Sequence, residues 1–423
     1  MRILIVGGGL GGLLLAHRLV KENDPELQVV ILERDESPQA RDQGIVIGLR
    51  QEGVDAIVEA GQGQILETLM NVNGGSRGVA IRNHNGTVLI KGKNWLQVKL
   101  PNKQTASSLV PRSTLRVELA AALPDGIIRW NAKVVTATDD VVSSKVRVEL
   151  ESGEIIEGDV LIGADGARSR VRQQFFPNLE PNYLGLYSTW GTIASKNFGA
   201  FGVKNELLEQ SKESLIRTNG GLGCSMLSFV YHPKIEADDK VFFWSLSMPN
   251  EVAKDIKDNT TLSKEDLRRA LCAIAKKAFN ESSKIELLIR ISDTVVPGYE
   301  LTSVEPSIYS SGKLQIQNVE TRVTLLGDAA HKTTTQAGIG ATAAFLDAIN
   351  LATTLIDHKH SFTPSVLRAY EMEMCKRATM FVQMSLGNTK RIHKVNGPIG
   401  LITATCLMWI VGNIIGTLEF FKS

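Results

Sequence analysis

The sequence predicts a mixed α/β fold into which a second, β-rich domain is inserted, and three observations support this prediction. A strand, a glycine turn, a helix and a second strand follow one another within residues 1–34. Strand patterns dominate residues 180–300, and from residue 322 a buried strand leads into a long helical region. The α/β pattern therefore returns after a β-rich excursion, and 423 residues are enough for two domains.

The N-terminal segment has the clearest α/β pattern. Residues 3–6, ILIV, form a continuous apolar strand, residues 13–23 have the spacing of an amphipathic helix, and residues 27–34, LQVVILER, form the next strand. A strand–helix–strand unit of this length predicts parallel pairing of its two strands in a sheet that is covered on both faces.

Later elements alternate between the two predicted domains. An Asn-Gly turn predicts a hairpin within residues 79–92, residues 112–123 have helical spacing, and residues 160–163 form a buried strand. Strands at 187–194 and 240–248 precede a charged helix at 261–279. We expect a first domain (1–75, 106–178 and 296–360), a second domain (hairpin 76–105 and β-rich segment 179–295) and C-terminal helices (361–423).

Composition excludes several classes of function. Lys and Arg number 47 against 45 acidic residues, so no excess of basic charge indicates a nucleic-acid partner. The 4 cysteines form no CxxC pair and the 7 histidines form no HxH or HExxH motif, so we expect free thiols and no metal site. No Ser or Cys nucleophile stands out, and we expect His331 to serve packing.

The two ends of the chain differ in character. The apolar run before the first glycine is too short for a signal peptide, which favours an intracellular, cytoplasmic protein. Residues 398–418 contain no charged residue over 21 positions and follow the basic stretch KRIHK. That length can span a bilayer, so membrane association of this tail and packing of a C-terminal helix on the protein are both open.

The glycine pattern after the first strand predicts a dinucleotide site. Gly7 allows a tight turn, Gly9 lets the backbone approach a pyrophosphate, and Gly12 lets the helix pack closely. Glu33, followed by Arg34, ends the next strand, where a carboxylate accepts hydrogen bonds from an adenosine ribose. The motif predicts a Rossmann-like site for NAD(P) or FAD and does not choose between them.

Two further motifs point to one family. Residues 159–172, DVLIGADGARSRVR, place Asp165-Gly166 after a buried strand, and GDAAH at 327–331 follows another. With the glycine motif, this order resembles the FAD-dependent aromatic hydroxylase-like monooxygenases, which include salicylate and para-hydroxybenzoate hydroxylases. Residues 40–49, 110–123 and 367–378 also resemble that family. The resemblance implies a Rossmann-like FAD-binding domain of the aromatic hydroxylase type, an inserted β-sheet substrate domain and a helical C-terminal tail.

The resemblance also implies the FAD contacts. Glu33 would hold the adenosine ribose, Arg112 the pyrophosphate or ribityl region, and Asp328 the ribityl chain. Asp165 would pack behind the FAD and serve access of NADPH or NADH. A first segment beside the flavin would include Gly44 and Val46. A second segment would present backbone N–H groups to the pyrimidine edge of the flavin. Its residues are Gly338, Gly340, Ala341 and Thr342.

Some residues depart from the family pattern. Thr335 and Thr342 stand where the family usually has Pro and Asn, and Trp190 stands where it often has Arg. Thr335 adds an N–H and a hydroxyl at a turn where proline would remove an N–H and fix φ. Lys332 is also unusual, and we expect it to face solvent.

The implied activity is that of an FAD-dependent monooxygenase. NADPH or NADH would reduce the flavin, and a C4a-hydroperoxide formed with O2 would hydroxylate or epoxidise a lipophilic aromatic, indole or terpenoid compound. Trp190 and Trp244 are candidate substrate contacts, whereas no residue is assigned as a general base. Strand alternation directs Phe243 to one face of the sheet and Phe242 and Trp244 to the other. These three side chains therefore cannot all line the same pocket.

Two alternatives use the same fold. An FAD-dependent oxidase, dehydrogenase or cyclase is suggested by Thr335 and Thr342, and a product without oxygen from O2 would identify it. A non-enzymatic binder of the GDP-dissociation-inhibitor type is the second, and a yellow protein that NADPH bleaches would exclude it.

Overall fold

The N-terminal unit forms the centre of a parallel sheet. The computed structural model describes residues 1–40, 46–72, 78–92, 97–198, 215–231, 240–259, 261–306 and 321–394. Strand β1 (Arg2–Val6) pairs in parallel with β2 (Gln28–Leu32), and helix α1 (Leu10–Val20) connects the two strands. The sheet continues in the order β19 (Val323–Leu325), β13 (Val160–Gly163), β1, β2, β9 (Ile128–Arg129). The parallel carboxyl ends of β1, β13 and β19 therefore place all three glycine-containing motifs at one edge.

Both faces of this sheet are covered, as predicted. The apolar run Ile3 to Ile5 is fully buried. Helices α1 and α9 (Gly340–Asp357) pack together on one face, and Gly12 of α1 lies against Ile5. On the other face Gly158 lies against Leu4, in an antiparallel sheet of β10 (Val134–Asp140), β11 (Lys145–Leu150) and β12 (Ile155–Gly158).

The β-rich segment forms a seven-stranded sheet within the described part of the chain. Its order is β18 (Thr294–Ser303), β14 (Asn182–Ala194), β17 (Val241–Pro249), β16 (Ser225–Tyr231), β15 (Leu215–Asn219), β4 (Val79–Arg82), β5 (Val88–Gly92). The hairpin β4–β5 joins through a parallel pairing of β4 with β15. This sheet therefore unites segments that are distant in sequence.

The two faces of this sheet have different partners, as strand alternation predicted. Phe242 and Trp244 lie in an apolar cluster with α7 (Lys264–Ala278) and α8 (Ile285–Arg290). Phe243 points the other way and contacts Trp190 and Phe229. We call the face that carries these three rings the open face.

The C-terminal described helix, α10 (Pro364–Lys394), joins the two domains. It packs on α9, and near its end His393 contacts the carbonyl oxygen of Gly223 through Nδ1 at 2.7 Å and the Ser247 hydroxyl through Nε2 at 3.2 Å. Among the described helices none is both long and apolar enough to cross a bilayer. Residues 398–418 lie outside the described residues.

The remaining elements are short. Strand β3 (Val46–Gly48) pairs with β8 (Leu109–Pro111), and β6 (Gln97–Lys99) pairs with β7 (Thr105–Ser107). The other helices are α2 (Gln51–Glu59), α3 (Gly63–Val72), α4 (Arg112–Ala121), α5 (Arg170–Phe175) and α6 (Lys254–Lys257), with 3-10 turns at Ser195–Asn197, Glu281–Ser283, Gly327–Ala329 and Thr335–Ala337.

Candidate functional site

A cavity of about 560 Å³ lies at the edge where the three motifs meet. It extends from the glycine turn after β1 to the loop between β19 and α9, and Tyr299 of β18 also lines it. Most of the predicted cofactor residues line this cavity: Gly7, Gly9, Glu33, Arg34, Val46, Arg112, Asp165, Asp328, Gly338, Gly340 and Ala341.

The glycine turn leaves the first turn of α1 open to the cavity. Gly7 has a φ of +111°, and a Cβ there would lie 2.5 Å from the carbonyl oxygen of Ala164. A Cβ on Gly9 would meet nothing within 4 Å, and no side chain caps α1. The N–H groups at the start of α1 therefore remain to bind an anion, and the space beside them admits one.

Glu33 is fixed at the end of β2 by the glycine turn. Its carboxylate accepts hydrogen bonds from the N–H of Gly8 at 2.6 Å and of Asp35 at 2.9 Å. Arg116 of α4, which the sequence reasoning missed, donates to the Gly8 carbonyl at 2.9 Å and to the Asp35 carboxylate at 3.0 Å. Arg116 is buried one helical turn after Arg112. This spacing of four residues places both arginines on one face of α4 and could have indicated Arg116 from the sequence.

The side chain of Asp328 lines the cavity and lies near several basic side chains, among them Lys332 and Arg112. Desolvation raises the pKa of its carboxyl, and nearby cations oppose that shift, with Lys332 first among them. Lys332 was expected in solvent, but it lines the cavity and its ammonium donates to the hydroxyl of Thr302. The expectation was wrong because the turn after His331 directs Lys332 towards β18, and desolvation lowers its pKa.

Asp165 has an unused acceptor. One oxygen accepts the N–H of Arg170 at 2.7 Å at the start of α5, whereas the buried Oδ1 has no hydrogen-bond partner in the described structure. Burial raises the pKa of this carboxyl, and local hydrogen bonds oppose the shift. Arg172 links the segment to the GD motif by donating to the carbonyl oxygens of Ala329 at 3.0 Å and Ala167 at 2.8 Å.

The loop before α9 forms the wall of the cavity nearest the open face. Gly338 has a φ of +61°, and a Cβ there would meet nothing within 4 Å. Thr335 is exposed and lines the cavity, and its hydroxyl interacts with the phenol of Tyr299, which also interacts with Ser188. Behind the loop, the N–H of buried Thr334 donates to the hydroxyl of Ser385 of α10 at 2.8 Å, and the hydroxyls of these two residues lie 2.6 Å apart.

Several predicted residues do not line the cavity. Gly12 lies behind the turn, where a Cβ would be 2.2 Å from the Gly7 carbonyl oxygen, and the buried hydroxyl of Thr342 accepts the N–H of Arg50 at 3.1 Å. Trp244 is 0% exposed, and its indole N–H donates to Ser292 at 2.8 Å, so it is core rather than a cavity contact. Trp190 lies on the open face with Phe243 and is not among the residues that line the cavity. Gly44 lies outside the described residues.

His331 has a packing role in the structure, as expected. It is 1% exposed, and its Nε2 lies 2.5 Å from the carboxylate of Asp347, which also accepts from the N–H of Gly327 at 2.9 Å and from Arg377 at 2.8 Å. The described residues contain no cluster that could hold a metal ion. This network fixes the GD motif on α9.

The cavity fits FAD. It offers an uncapped helix N-terminus for the pyrophosphate, the Glu33 carboxylate for ribose hydroxyls, the Asp328 carboxylate and an unsatisfied acceptor on Asp165. These groups line one cavity, and a Cβ on Gly9 or Gly338, which also line it, would meet nothing within 4 Å. The donor set therefore suits a dinucleotide and its attached ring.

Comparisons with known proteins agree. The FAD binding domain family model matches residues 1–214 and 300–385. The chain is 27% identical over 404 residues to the FAD-dependent monooxygenase thnD of Trichoderma harzianum, covering 91% of this chain and 92% of that protein. It is 27% identical over 409 residues to a chloroplastic zeaxanthin epoxidase of an Oncidium hybrid, covering 91% of this chain and 54% of that protein.

A solved structure has the same fold. Klebsiella pneumoniae HpxO complexed with FAD and uric acid superposes with a TM-score of 0.69 at 21% identity, covering 96% of this chain and 91% of that chain. The family match extends over most of the chain and includes all three motifs that line the cavity. The chain therefore belongs to the FAD binding domain family and is an FAD-dependent monooxygenase of the aromatic hydroxylase-like type.

Proposed function

We propose that the protein uses NADPH or NADH and O2 to hydroxylate or epoxidise a lipophilic aromatic, indole or terpenoid compound. Bound FAD would supply the oxygen chemistry, namely activation of O2 and transfer of one oxygen atom to the substrate. One observation carries the proposal: the FAD cavity meets the open face of the seven-stranded sheet at Tyr299 and Thr335.

We assign the cofactor contacts to the residues that line the cavity. The start of α1 would bind the pyrophosphate, Glu33 the adenosine ribose with Arg34 beside it, and Asp328 the ribityl hydroxyls, whereas Arg112 would neutralise phosphate charge. Backbone N–H groups at the start of α9 would stabilise negative charge on the reduced ring, because a helix N-terminus is electropositive. These positions are Gly338, Gly340 and Ala341, with Val46 on the opposite wall.

The open face would hold the substrate. Trp190 and Phe243 have ring centroids 6.0 Å apart, and Phe229 lies 4.8 Å from Phe243. Trp190 and Phe243 are partly exposed, so this cluster offers an apolar surface beside the cavity. An apolar surface with a few polar groups is typical of small-molecule sites, and a substrate that covers it also excludes water.

Tyr299 is a titratable group that lines the cavity and lies opposite Ser188 on the sheet. Desolvation raises the pKa of its phenol, and the hydroxyls of Ser188 and Thr335 oppose that shift. The phenol therefore stays protonated at neutral pH, where it acts as a hydrogen-bond donor rather than as a base. This agrees with chemistry in which orientation of an electron-rich substrate, not deprotonation, is the contribution of the protein.

Anaerobic reduction tests the proposed co-substrate and substrate class. NADPH or NADH should bleach the yellow protein, and an aromatic, indole or terpenoid substrate should accelerate bleaching. The Asp165-Gly166 segment is the proposed approach for the nicotinamide, so Asp165→Asn should slow reduction more than it weakens FAD binding. Failure of both nicotinamides to reduce the flavin, with every substrate tested, would contradict this part of the proposal.

An oxidase, dehydrogenase or cyclase remains the second candidate because one observation favours it. Thr335, which stands in place of the family's usual proline, places a hydroxyl at the cavity edge in contact with Tyr299. Such a group could serve a reaction that transfers no oxygen. Incorporation of oxygen from O2 into the product separates the two candidates.

A further inference from the structure

His331 closes the turn that carries Asp328, although its own side chain does not line the cavity. The N–H of His331 donates to the carbonyl oxygen of Gly327 at 2.8 Å, which makes residues 327–331 one compact turn. Its Nε2 lies 2.5 Å from Oδ2 of Asp347 on α9, and the same oxygen accepts the N–H of Gly327 at 2.9 Å. Asp347 therefore holds both ends of the turn that carries Asp328.

The carboxylate of Asp347 has a second cationic partner. Arg377 of α10 donates to its Oδ1 at 2.8 Å. Burial raises the pKa of Asp347, but His331 and Arg377 outweigh this effect, so its pKa lies below the ordinary value and the group is ionised at neutral pH. The charge of Asp347 also acts on Cys375 of α10, which stays a neutral thiol because burial raises its pKa to about 12.

His331 is the member of this network that can change its charge near neutral pH. Burial disfavours its protonated form, but the charge and the hydrogen bond of Asp347, and then the charge of Asp328, raise its pKa above the ordinary value of 6.5. When His331 is protonated, the network contains two cations, His331 and Arg377, and one carboxylate, Asp347. One positive charge is therefore in excess.

Asp328 is the cavity carboxylate on which this excess charge acts. Desolvation raises the pKa of its carboxyl, and four cations oppose that shift: Lys332, His331, Arg112 and Arg172. Among these four, His331 has the side-chain type that changes its charge between about pH 5 and about pH 8 when unperturbed. Protonation of His331 and ionisation of Asp328 therefore favour each other.

We propose that His331 is a positioning residue that acts through its charge: as an imidazolium held by Asp347, it stabilises the ionised Asp328 that binds the ribityl hydroxyls of FAD. The inference rests on the proposed contact of Asp328 with the ribityl chain, and it involves neither nicotinamide nor substrate. Bound FAD keeps Asp328 ionised, which raises the pKa of His331 further. By linkage, the affinity for FAD falls as the pH rises through the pKa of His331 in the empty site, which lies above 6.5.

The test is the pH dependence of FAD binding. FAD-loaded full-length protein is diluted at values between about pH 5 and about pH 9.5, and the fluorescence of released FAD gives the dissociation constant. Wild-type affinity should fall by about fivefold on the alkaline side of its maximum, since a pKa shift of one unit changes affinity by at most a factor of about ten.

His331→Gln separates charge from packing, because glutamine can still donate a hydrogen bond to Asp347 but carries no charge. This variant should lose the alkaline decrease and bind FAD about fivefold less tightly at the pH of the wild-type maximum. A role in packing alone predicts the opposite result, namely full rescue by glutamine and a profile of unchanged shape.

Arg377→Gln tests the same network with His331 in place, which keeps the test decisive should the His331 variant fail to fold. Loss of the arginine charge leaves His331 as the cationic partner of Asp347 in the described structure, so the pKa of His331 rises. The alkaline decrease should then move to higher pH. Arg368→Gln is the matched control, because it removes an exposed arginine of the same helix that lies 3.7 Å from Glu371, and it should leave the profile unchanged.

Three results would overturn the proposal: a wild-type profile without an alkaline decrease, a decrease that persists in His331→Gln, or a shift to lower pH in Arg377→Gln. Asp328→Asn distinguishes failure of the underlying contact from failure of the role of His331. If this variant binds FAD as tightly as wild type, the assigned ribityl contact is wrong. If it binds weakly while the wild-type profile lacks the alkaline decrease, the contact stands and the role of His331 is wrong.

Discussion

Asp328 faces the cavity in an environment that disfavours its negative charge. Desolvation raises the pKa of its carboxyl, and hydroxyl groups of a bound ribityl chain would favour the ionised form. FAD binding should then lower this pKa and release a proton. FAD affinity should therefore rise as pH increases from the ordinary aspartate pKa through the raised pKa of the empty site.

Asp328→Asn tests this coupling. It should weaken FAD binding by about tenfold or more, through loss of a charged acceptor, and flatten the pH dependence. Fluorescence titration of the FAD-depleted protein between pH 4.5 and about 8 measures both effects. Asp55→Asn removes an exposed carboxylate outside the cavity and serves as the control. An unchanged pH profile in Asp328→Asn would rule out the assigned role.

Thr335 should influence chemistry rather than cofactor binding. Its exposed side chain contacts Tyr299 at the cavity edge, and the preceding residue, Thr334, has an extended backbone compatible with a following proline. Thr335→Pro and Thr335→Val should bind FAD normally but form less product and more H2O2 per nicotinamide consumed, because Tyr299 loses the hydroxyl that holds it at the edge of the cavity and water is excluded less well there. Thr335→Ser keeps the hydroxyl and should behave as wild type. Equal coupling in all variants would argue against this role.

Thr342 should influence stability rather than chemistry. It is 0% exposed, holds the N–H of Arg50, and packs against Gly53. Thr342→Asn enlarges a side chain in a filled space, so it should lower the free energy of unfolding by about 1–3 kcal/mol. Urea unfolding of the FAD-loaded protein checks the value. Changed coupling with unchanged stability would reverse this assignment.

The sequence locates a residue best where a motif fixes the backbone. Gly7, Gly9, Glu33 and Asp328 follow strand ends, and the structure brings these four to one cavity. The expectation that Lys332 faces solvent was wrong, and the candidate substrate contact Trp244 lies in the core. The surroundings of both side chains come from segments that are distant in sequence. Periodicity separated Trp244 from Phe243, but only the packing of α7 and α8 shows which face is buried.

At the scale of elements, α10 fixes the loop that forms the flavin wall. The N–H of Thr334 donates to the hydroxyl of Ser385 at 2.8 Å, and the Thr334 hydroxyl lies 2.7 Å from that of Thr389. All three residues are buried. The position of Thr335 and Gly338 therefore depends on a helix that begins more than twenty residues later in the chain.

Ser385→Ala should loosen this wall. It leaves the buried N–H of Thr334 without its acceptor, at a cost of about 1–3 kcal/mol. We expect lower thermal stability and weaker FAD binding, measured by thermal unfolding and fluorescence titration. Thr379→Ala is the matched control, because the Thr379 hydroxyl donates within the same helix, to the carbonyl oxygen of Cys375 at 2.7 Å. Reduced stability with full FAD affinity would show that α10 does not position the wall.

At the scale of the whole molecule, the site depends on how the two domains meet. Sequence patterns predicted both domains and their βαβ unit because these depend on local periodicity. The pairing of β4 with β15 joins residues more than a hundred positions apart, and the contact of Tyr299 with Thr335 joins the seven-stranded sheet to the loop before α9. No local pattern encodes such contacts, so the relation of cavity to open face required the structure.

Oxygen-isotope labelling tests the central claim most directly. A substrate that accelerates flavin reduction is converted under 18O2 in ordinary water, and the product mass is compared with nicotinamide consumption. A monooxygenase acting across the cavity and open face should insert one 18O atom for each nicotinamide used in product formation. Conversion to a product that carries no 18O would contradict the account and favour the oxidase, dehydrogenase or cyclase.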